Sequence, residues 1–339
     1  MIATTREKIS RRRGFTTVEL LVVISVIGGL MALLLPAVQS ARETARRIQC
    51  ASNMRQLALA ALNFQSAQGA FPPGRQGDPR SAATWGHIVY LLPFLDANVL
   101  FKKLDLTKPS TDPANAILPM APLPFLRCPS DTDRLDDSAD PQALPGWTKN
   151  NYRGNAGNDI GQLDVNGKEQ NNGVFLTNRR VSVDQITDGQ GATALYSEAL
   201  LGDGDNDTIS SPGDWLTISP ATVNSAGIYA ALQTVTPGTG SGNQQSCAGA
   251  TFIFGNYSDS RYNHIMPPNG PSGVVPGGLD LFTAINNGAQ ATTASSRHMN
   301  GVNVALADGS VRFVRNTIDL STWQALGSIA GGEILSKDF

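Results

Sequence analysis

A run of apolar residues from Leu20 to Leu35, entered directly from Arg11-Arg12-Arg13-Gly14-Phe15-Thr16-Thr17-Val18-Glu19, constrains this chain more than any other stretch. As a helix, Phe15 to Leu35 extends about 30 Å at 1.5 Å per residue, the thickness of a bilayer's hydrocarbon core. Five Lys/Arg against one acid in the first thirteen residues hold the N-terminus on the cytoplasmic side, because basic flanks resist translocation. The rest of the chain is therefore expected to face outward. An ordinary secretory signal peptide also begins with a basic segment and an apolar segment, but it is cut after the apolar part at a small-residue site. Here Leu33-Leu34-Leu35-Pro36 leads into Gln39, Arg42 and Arg46 without such a site. Glu19 adds a second distinction. A carboxylate at the mouth of an apolar run is costly, about 2 to 3 kcal/mol near a bilayer centre, so it needs a partner.

The basic leader, Gly14-Phe15-Thr16-x-x-Glu19 and the apolar helix together resemble the signal of type IV prepilins and of the pseudopilins of type II secretion. The resemblance implies that a prepilin peptidase cuts after Gly14 and N-methylates Phe15. It further implies that Glu19 pairs with the N-terminal amine of a neighbouring subunit during assembly, and that Pro36 lies where many pilins carry a helix-kinking proline. The physics of Pro36 agrees, since proline removes one backbone hydrogen bond and crowds the preceding turn.

Past the membrane segment, Cys50, Met54, Leu57, Ala58, Ala61 and Phe64 keep an apolar stripe at helical spacing, while Arg42, Arg46, Arg47 and Arg55 solvate other faces. The helix is expected to end at Gly69, with Pro72-Pro73 beyond it. The charged content of 16% and net charge of −2 give no basic surplus, so nucleic acid is not an expected partner. Thirty-four glycines and twenty prolines among many Asn, Asp, Ser and Thr favour short strands joined by turns. Trp85 to Leu95 reads as a short helix or buried apolar segment, Ala192 to Glu198 and Asp214 to Ile218 as strands, and Ser321 to Ile329 as a closing helix. Asn150 to Gly173, Thr236 to Gly249 and Pro267 to Gly278 read as surface loops.

Val302 to Val314 alternates β-formers around Asp308-Gly309, which predicts a hairpin with a type I′ turn at that pair. His298 lies ten residues before Asp308, giving His-x9-Asp-Gly. It reads as a histidine that bonds a turn or caps the sheet, since no local sequence supplies a nucleophile and an orienting acid. The leader together with this C-terminal block is similar to a large bacterial family of prepilin-type proteins with an H-X9-DG domain, known as domain of unknown function 1559. Further segments carry that similarity: Ile48-Gln49-Cys50, Met54-Arg55-Gln56-Leu57, Phe71-Pro72-Pro73-Gly74, Leu91 to Leu95, Cys128-Pro129-Ser130-Asp131, Ile186-Thr187-Asp188-Gly189, Glu198 and Gly331-Gly332-Glu333. The resemblance implies location and build but supplies no biochemical role.

The three cysteines, Cys50, Cys128 and Cys247, lie in the part expected to be exported, where oxidation is possible. Three single pairings exist. Cys50 on the head-facing stripe and Cys128 at the start of a Cys-Pro-Ser-Asp turn form the favoured one. No C-x-x-C occurs, so zinc or thioredoxin-like chemistry is unsupported. No phosphate loop, nucleophile elbow, dinucleotide fingerprint or His-Glu-x-x-His occurs, so no enzyme is expected. Asp203, Asp205, Asp207 and Asp214 partly resemble a calcium loop, although Thr208 stands where that loop wants glycine. Calcium is thus a possible cofactor, and a solvated acidic turn is the alternative.

The expected architecture is α+β and pilin-like, with one long N-terminal α-helix packed through its outer half on an antiparallel β-sheet head with long loops. Its segments are a leader (1–14), a transmembrane and assembly helix (15–36), the outer half of that helix (37–69) and an extracytoplasmic head (70–339) ending in the hairpin at 297–315. Two functions fit. The first is a pseudopilin-like subunit of the bacterial inner membrane, single-pass, processed by prepilin peptidase and assembled with other pilin-like subunits. The second is an anchored surface protein whose head binds an extracellular polymer or protein.

Overall fold

The computed structural model describes residues 17–78, 84–132, 134–138, 140–163, 169–210, 212–236, 244–275 and 288–333. Gly14 and Phe15 lie outside the described residues. The chain divides into two compact units, Met1–Ala45 and Arg46–Phe339, with the boundary inside the first helix. The residues of that helix from Arg46 onward thus belong with the head.

Helix α1 spans Thr17–Gln68 and runs on through Pro36. In the first unit its apolar side chains are exposed. In the second, Cys50, Asn53, Met54, Leu57, Ala58, Ala60 and Ala61 form a buried stripe at spacings of three and four. Gly69 ends the helix with φ +79°, its N–H donating to Gln65 O at 2.8 Å. A left-handed residue at this position is open to glycine without a Cβ clash.

A small pair, β1 (Arg75–Gln76) and β2 (Trp85–Gly86), is followed by α2 (His87–Leu91) and a 3₁₀ turn at Leu92–Phe94; α3 covers Asn98–Phe101. The main sheet is assembled from β3 (Tyr152–Asn155), β4 (Ala194–Glu198), β7 (Arg261–Tyr262), β10 (Gly301–Leu306) and β11 (Val311–Arg315), in the order β11-β10-β4-β3-β7. A second sheet takes β5 (Trp215–Thr217), β6 (Gln244–Gln245), β8 (Ser272–Val275) and β9 (Ala289–Ala291), in the order β6-β5-β8-β9. Both are mainly antiparallel, with one parallel pair each, β3–β7 and β5–β8. Helix α4 (Ser225–Leu232) and the closing helix α5 (Leu320–Gly327) complete the head. One continuous core joins Met54, Leu57 and Ala61 of α1 to Tyr152, Leu195, Tyr196 and Ala305 of the main sheet and to Ala307 in the hairpin turn.

Three segments expected as surface loops carry buried strands. Tyr152, Arg153, Gly154 and Asn155 are all buried within 150–173, as are Gln244 and Gln245 within 236–249 and Ser272, Gly273 and Val274 within 267–278. Polar composition misleads because side-chain amides here replace ladder partners. Asn155 Nδ2 donates to Ala194 O at 2.8 Å and Gly327 O at 2.9 Å, and its Oδ1 accepts from Gly157 N at 2.8 Å. Asn263 similarly donates to Gln290 O and accepts from Thr292 N. From β7, Arg261 Nη1 donates to both oxygens of buried Glu169 at 2.9 and 2.6 Å, while Tyr257 donates to Glu169 Oε1 at 2.6 Å. Removing one partner of such a pair leaves a buried charge uncompensated.

The hairpin turn also differs from expectation. Gly309 N donates to Leu306 O at 2.9 Å and Leu306 N to Ser310 O at 2.8 Å. Only Gly309 of the pair takes a positive φ, +85°. The loop is therefore a type I turn closed by a left-handed glycine, not a type I′ turn with two left-handed residues. Asp308 Oδ1 accepts from Ser310 N at 2.8 Å and Ser310 Oγ at 2.7 Å, which favours the ordinary backbone at Asp308.

Two buried histidines and two buried aspartates set an acid response. Burial lowers His87 to about 3, helped by the charge of Arg261, and burial lowers His264 to about 3. Neither His87 ring nitrogen has a partner among the described residues. These neutral histidines contribute stability above the unfolded value of about 6.5, which is lost as pH falls toward 3. Burial raises Asp214 and Asp259 to about 6, and their contributions have the opposite sign, growing as pH falls through 6. The two effects offset between about pH 6 and pH 4. Replacing His87→Phe, which keeps the stack on Phe175, is expected to add about 1.4 kcal/mol of stability per pH unit of acidification in that window relative to the parent. Urea unfolding at a series of pH values checks it; parallel curves for the two proteins contradict the assignment.

Candidate functional site: the junction of helix, disulfide and hairpin

Several segments singled out in the sequence without a role meet at one buried place. Cys50 of α1 and Cys128 are joined by a disulfide, S–S 2.09 Å. The Cys-Pro-Ser-Asp turn is positioned by Asn151, which precedes β3: Cys128 N donates to Asn151 Oδ1 at 3.0 Å, and Asn151 Nδ2 donates to Asp131 Oδ2 at 2.7 Å. Asp131 Oδ2 also accepts from Leu201 N at 2.9 Å, and Arg297 Nε lies 3.5 Å from Asp131 Oδ1. The turn is thereby tied to β3, to the exit of β4 and to the residue before His298.

His298 faces this disulfide. Its Nε2 stands 3.7 Å from Cys128 Sγ and 3.2 Å from Glu198 Oε1, and both residues are buried. Glu198, at the end of β4, also accepts from Asn303 N at 2.8 Å and from Asn303 Nδ2 at 2.8 Å. A carboxylate at 2% exposure is tolerated there because hydrogen-bond donors replace its water. His298 is thus placed between an acid at the end of β4 and the sulfur that opens the Cys-Pro-Ser-Asp turn. Chain positions 50, 128, 198 and 298 are too far apart for local spacing to reveal the grouping. Its only sequence trace is the shared membership of these residues in the segments carrying the family resemblance.

The other end of the His-x9-Asp-Gly block rests on the same helix. A Cβ placed on Gly309 meets Leu62 Cδ1 at 3.1 Å and Leu59 Cδ2 at 3.7 Å. Near the Cys50 end, the Arg47 guanidinium lies over the Phe313 ring at 4.8 Å. From Cys50 to Leu62 a helix advances about 18 Å, and the six residues of β10 span about 20 Å. The nine intervening residues are the length that lets His298 reach the disulfide while the turn reaches Leu62. A second junction involves Ile186-Thr187-Asp188-Gly189. Asp188 accepts from Gly331 N at 2.7 Å and Gly332 N at 2.8 Å, holding the segment after α5.

The acidic group is arranged differently. Asp214 is buried and accepts from Ser246 Oγ at 2.6 Å and from Ser210 N; burial, with the charges of Asp203 and Asp205 adding to it, lifts the carboxyl to about 6. Asp203 Oδ1 accepts from Asp205 N at 3.0 Å, its Oδ2 lies 3.7 Å from Arg134 Nη1, and Asp205 Oδ1 accepts from Asp207 N at 2.8 Å. Loop amides, a serine and an arginine engage these carboxylates. Cys247, the third cysteine, is free.

The turn makes a sharp expectation. Gly309→Ala is expected to destabilise the protein by about 1 to 2 kcal/mol, from left-handed strain and crowding against Leu62. Asp308→Ala is expected to cost about 1 kcal/mol by losing the bonds from Ser310, whereas Asp308→Asn keeps an acceptor and most of the stability. Urea midpoints of the three variants check this; equal losses for Asp308→Ala and Asp308→Asn would assign the effect to charge rather than to the turn.

No curated protein and no solved structure shows significant similarity to the chain. A family profile does match, over residues 39–321, which takes in the outer part of α1, the disulfide, both sheets and the complete His-x9-Asp-Gly block. On that match, covering well over half of its length, the chain belongs to the family described as proteins of unknown function, DUF1559.

Proposed function

We propose that the protein is a pseudopilin-like structural subunit, held in the bacterial inner membrane by α1, cut by prepilin peptidase between Gly14 and Phe15, and assembled through α1 into a pilus or secretion-associated fibre. The observation that carries this reading is the apolar surface of α1 in the first unit. Leu20, Leu21, Ile24, Ile27, Leu30, Met31, Leu33, Leu34 and Leu35 are all exposed. Apolar side chains on every face of a helix need cover on every face: lipid first, neighbouring helices afterwards. Glu19 in the first turn supplies the register. After cleavage Phe15 carries a cationic amine, and pairing that amine with Glu19 of a neighbour offsets the desolvation cost of both charges.

A second reading, a membrane-anchored protein that binds a partner with its head, draws on one observation. An open groove of about 560 Å³ is lined by Leu95, Val99, Leu100, Ile117, Met120 and Phe125, with Val99 and Met120 largely exposed.

N-terminal sequencing of the protein from membranes is expected to begin at Phe15, and Gly14→Leu is expected to leave the precursor uncut. A mature chain beginning well beyond Leu35 would remove the prepilin reading. Glu19→Val is expected to be exported and cleaved but missing from sheared or secreted assemblies. A Glu19→Val protein that assembles like its parent, or a parent that never leaves the membrane as an oligomer, would make the anchored binding protein the preferred function.

A further inference from the structure

We propose that Cys50, Cys128, Glu198 and His298 form a tetrahedral zinc-class metal site in the dithiol state of the protein, so that metal binding and disulfide formation compete for the same two sulfurs. The inference stands apart from the assembly reading. Among the described residues, one group of cysteine, histidine and acidic side chains gathers its ligand atoms within 4.8 Å of one another, and it is this one. All four residues are buried.

Two of the separations match those between ligands of a tetrahedral zinc. Zinc bonds of about 2.3 Å to sulfur and about 2.0 Å to nitrogen or oxygen, at tetrahedral angles, place nitrogen and oxygen ligands about 3.3 Å apart and sulfur and nitrogen about 3.5 Å apart. Nε2 of His298 lies 3.2 Å from Glu198 Oε1 and 3.7 Å from Cys128 Sγ. All four ligand atoms lie within 4.8 Å of one another, and the sulfur–sulfur separation of 2.09 Å is shorter than the about 3.8 Å of a zinc dithiolate. That distance is the one the disulfide bond itself imposes.

The ligands are also supported as metal ligands are. Glu198 is held by the N–H and side-chain amide of Asn303, and the Cys128 amide is held by Asn151. Such outer contacts orient a donor before the ion arrives. Two thiolates and a carboxylate with neutral imidazole suit zinc's mixed preference for sulfur, nitrogen and oxygen. The chemistry balances without an added reductant, because cysteines are synthesised as thiols. Two thiols and Zn²⁺ give a zinc dithiolate and two released protons. The competing reaction passes two electrons and two protons from the same thiols to a disulfide oxidant, whose S–S bond breaks to give two thiols as the Cys50–Cys128 bond forms.

The test uses the full chain in detergent, carrying Cys247→Ser so that only Cys50 and Cys128 report. The dithiol form, kept with a phosphine reductant, is titrated with Co²⁺ and then Zn²⁺. One equivalent of Co²⁺ is expected to bring visible ligand-field bands of tetrahedral intensity and a near-ultraviolet thiolate charge-transfer band, both abolished by Zn²⁺. The disulfide form is expected to show neither. His298→Asn and Glu198→Gln, each checked for native circular dichroism, are expected to weaken Co²⁺ binding at least about ten-fold. Zinc is also expected to protect both thiols from alkylation in the folded parent, a readout that survives if a variant fails to fold. Absence of the bands in folded dithiol protein would overturn the site. So would bands of unchanged affinity in both variants, which would reduce it to a bare thiol pair, or alkylation that zinc leaves unslowed.

Discussion

The buried carboxylate of Glu198 is the interaction on which the head depends. It sits at the end of β4, nearly sealed from water, and accepts from the backbone and side chain of Asn303 with His298 alongside. A carboxylate in such surroundings is tolerable only with its donors in place. That requirement couples three otherwise separate pieces of chain. Asn303 fixes β10 against β4, His298 fixes the approach to the hairpin, and the disulfide beside His298 fixes α1 through Cys50. Loss of the acid would leave more than one missing bond, because the backbone N–H and the side-chain amide of Asn303 would both lose this acceptor while buried.

The same coupling gives His-x9-Asp-Gly a physical meaning that a motif does not carry by itself. A helix and a strand advance at different rates, about 1.5 and 3.3 Å per residue. Two elements lying side by side can therefore touch at both ends only if their lengths in residues differ in a fixed ratio. Arg47, Cys50 and Leu62 mark one element; Phe313, His298 and Gly309 mark the other. A residue added between His298 and Asp308 would move the turn by about 3.3 Å and reverse the facing of every side chain beyond it.

Much of the fold was legible from pattern. The long helix, its end at Gly69, the strand before Glu198, the hairpin after Asn300 and the closing helix all follow from periodicity and stop signals. Legibility failed where polar residues are buried. Tyr152-Arg153-Gly154-Asn155 lies inside the main sheet, yet its composition is that of a loop. Asn150, Asn155 and Asn263 show why, since each amide bonds backbone that a neighbouring strand would otherwise bond, and no local rule anticipates partners more than a hundred residues away, such as Asp259 for Asn150. The candidate site was legible as pieces only. Cys50, Cys128, Glu198 and His298 were each visible, but their meeting is a property of topology: β4 lies between β10 and β3, and that order brings the ends of three distant segments to one edge of α1.

Helix α1 also divides by the kind of cover its side chains require. From Cys50 onward the apolar residues follow one stripe, with Arg55 on an exposed face, the pattern of a helix that has a protein on one side and water on the other. From Val18 to Val38 they occupy every face, and water suits none of them. A one-sided stripe is completed by the head of the same chain. An all-round apolar surface is not completed by any single flat partner, because a neighbour covering one face leaves the others bare. Lipid would solve that problem by surrounding the helix. Removing the lipid would require several helices packed around each one, which is the geometry of a bundle and not of a dimer. The assembly proposed through this segment would therefore favour many copies over a pair, and a charge pair at Glu19 is what would let such a bundle choose one axial register among the many that apolar contact alone permits.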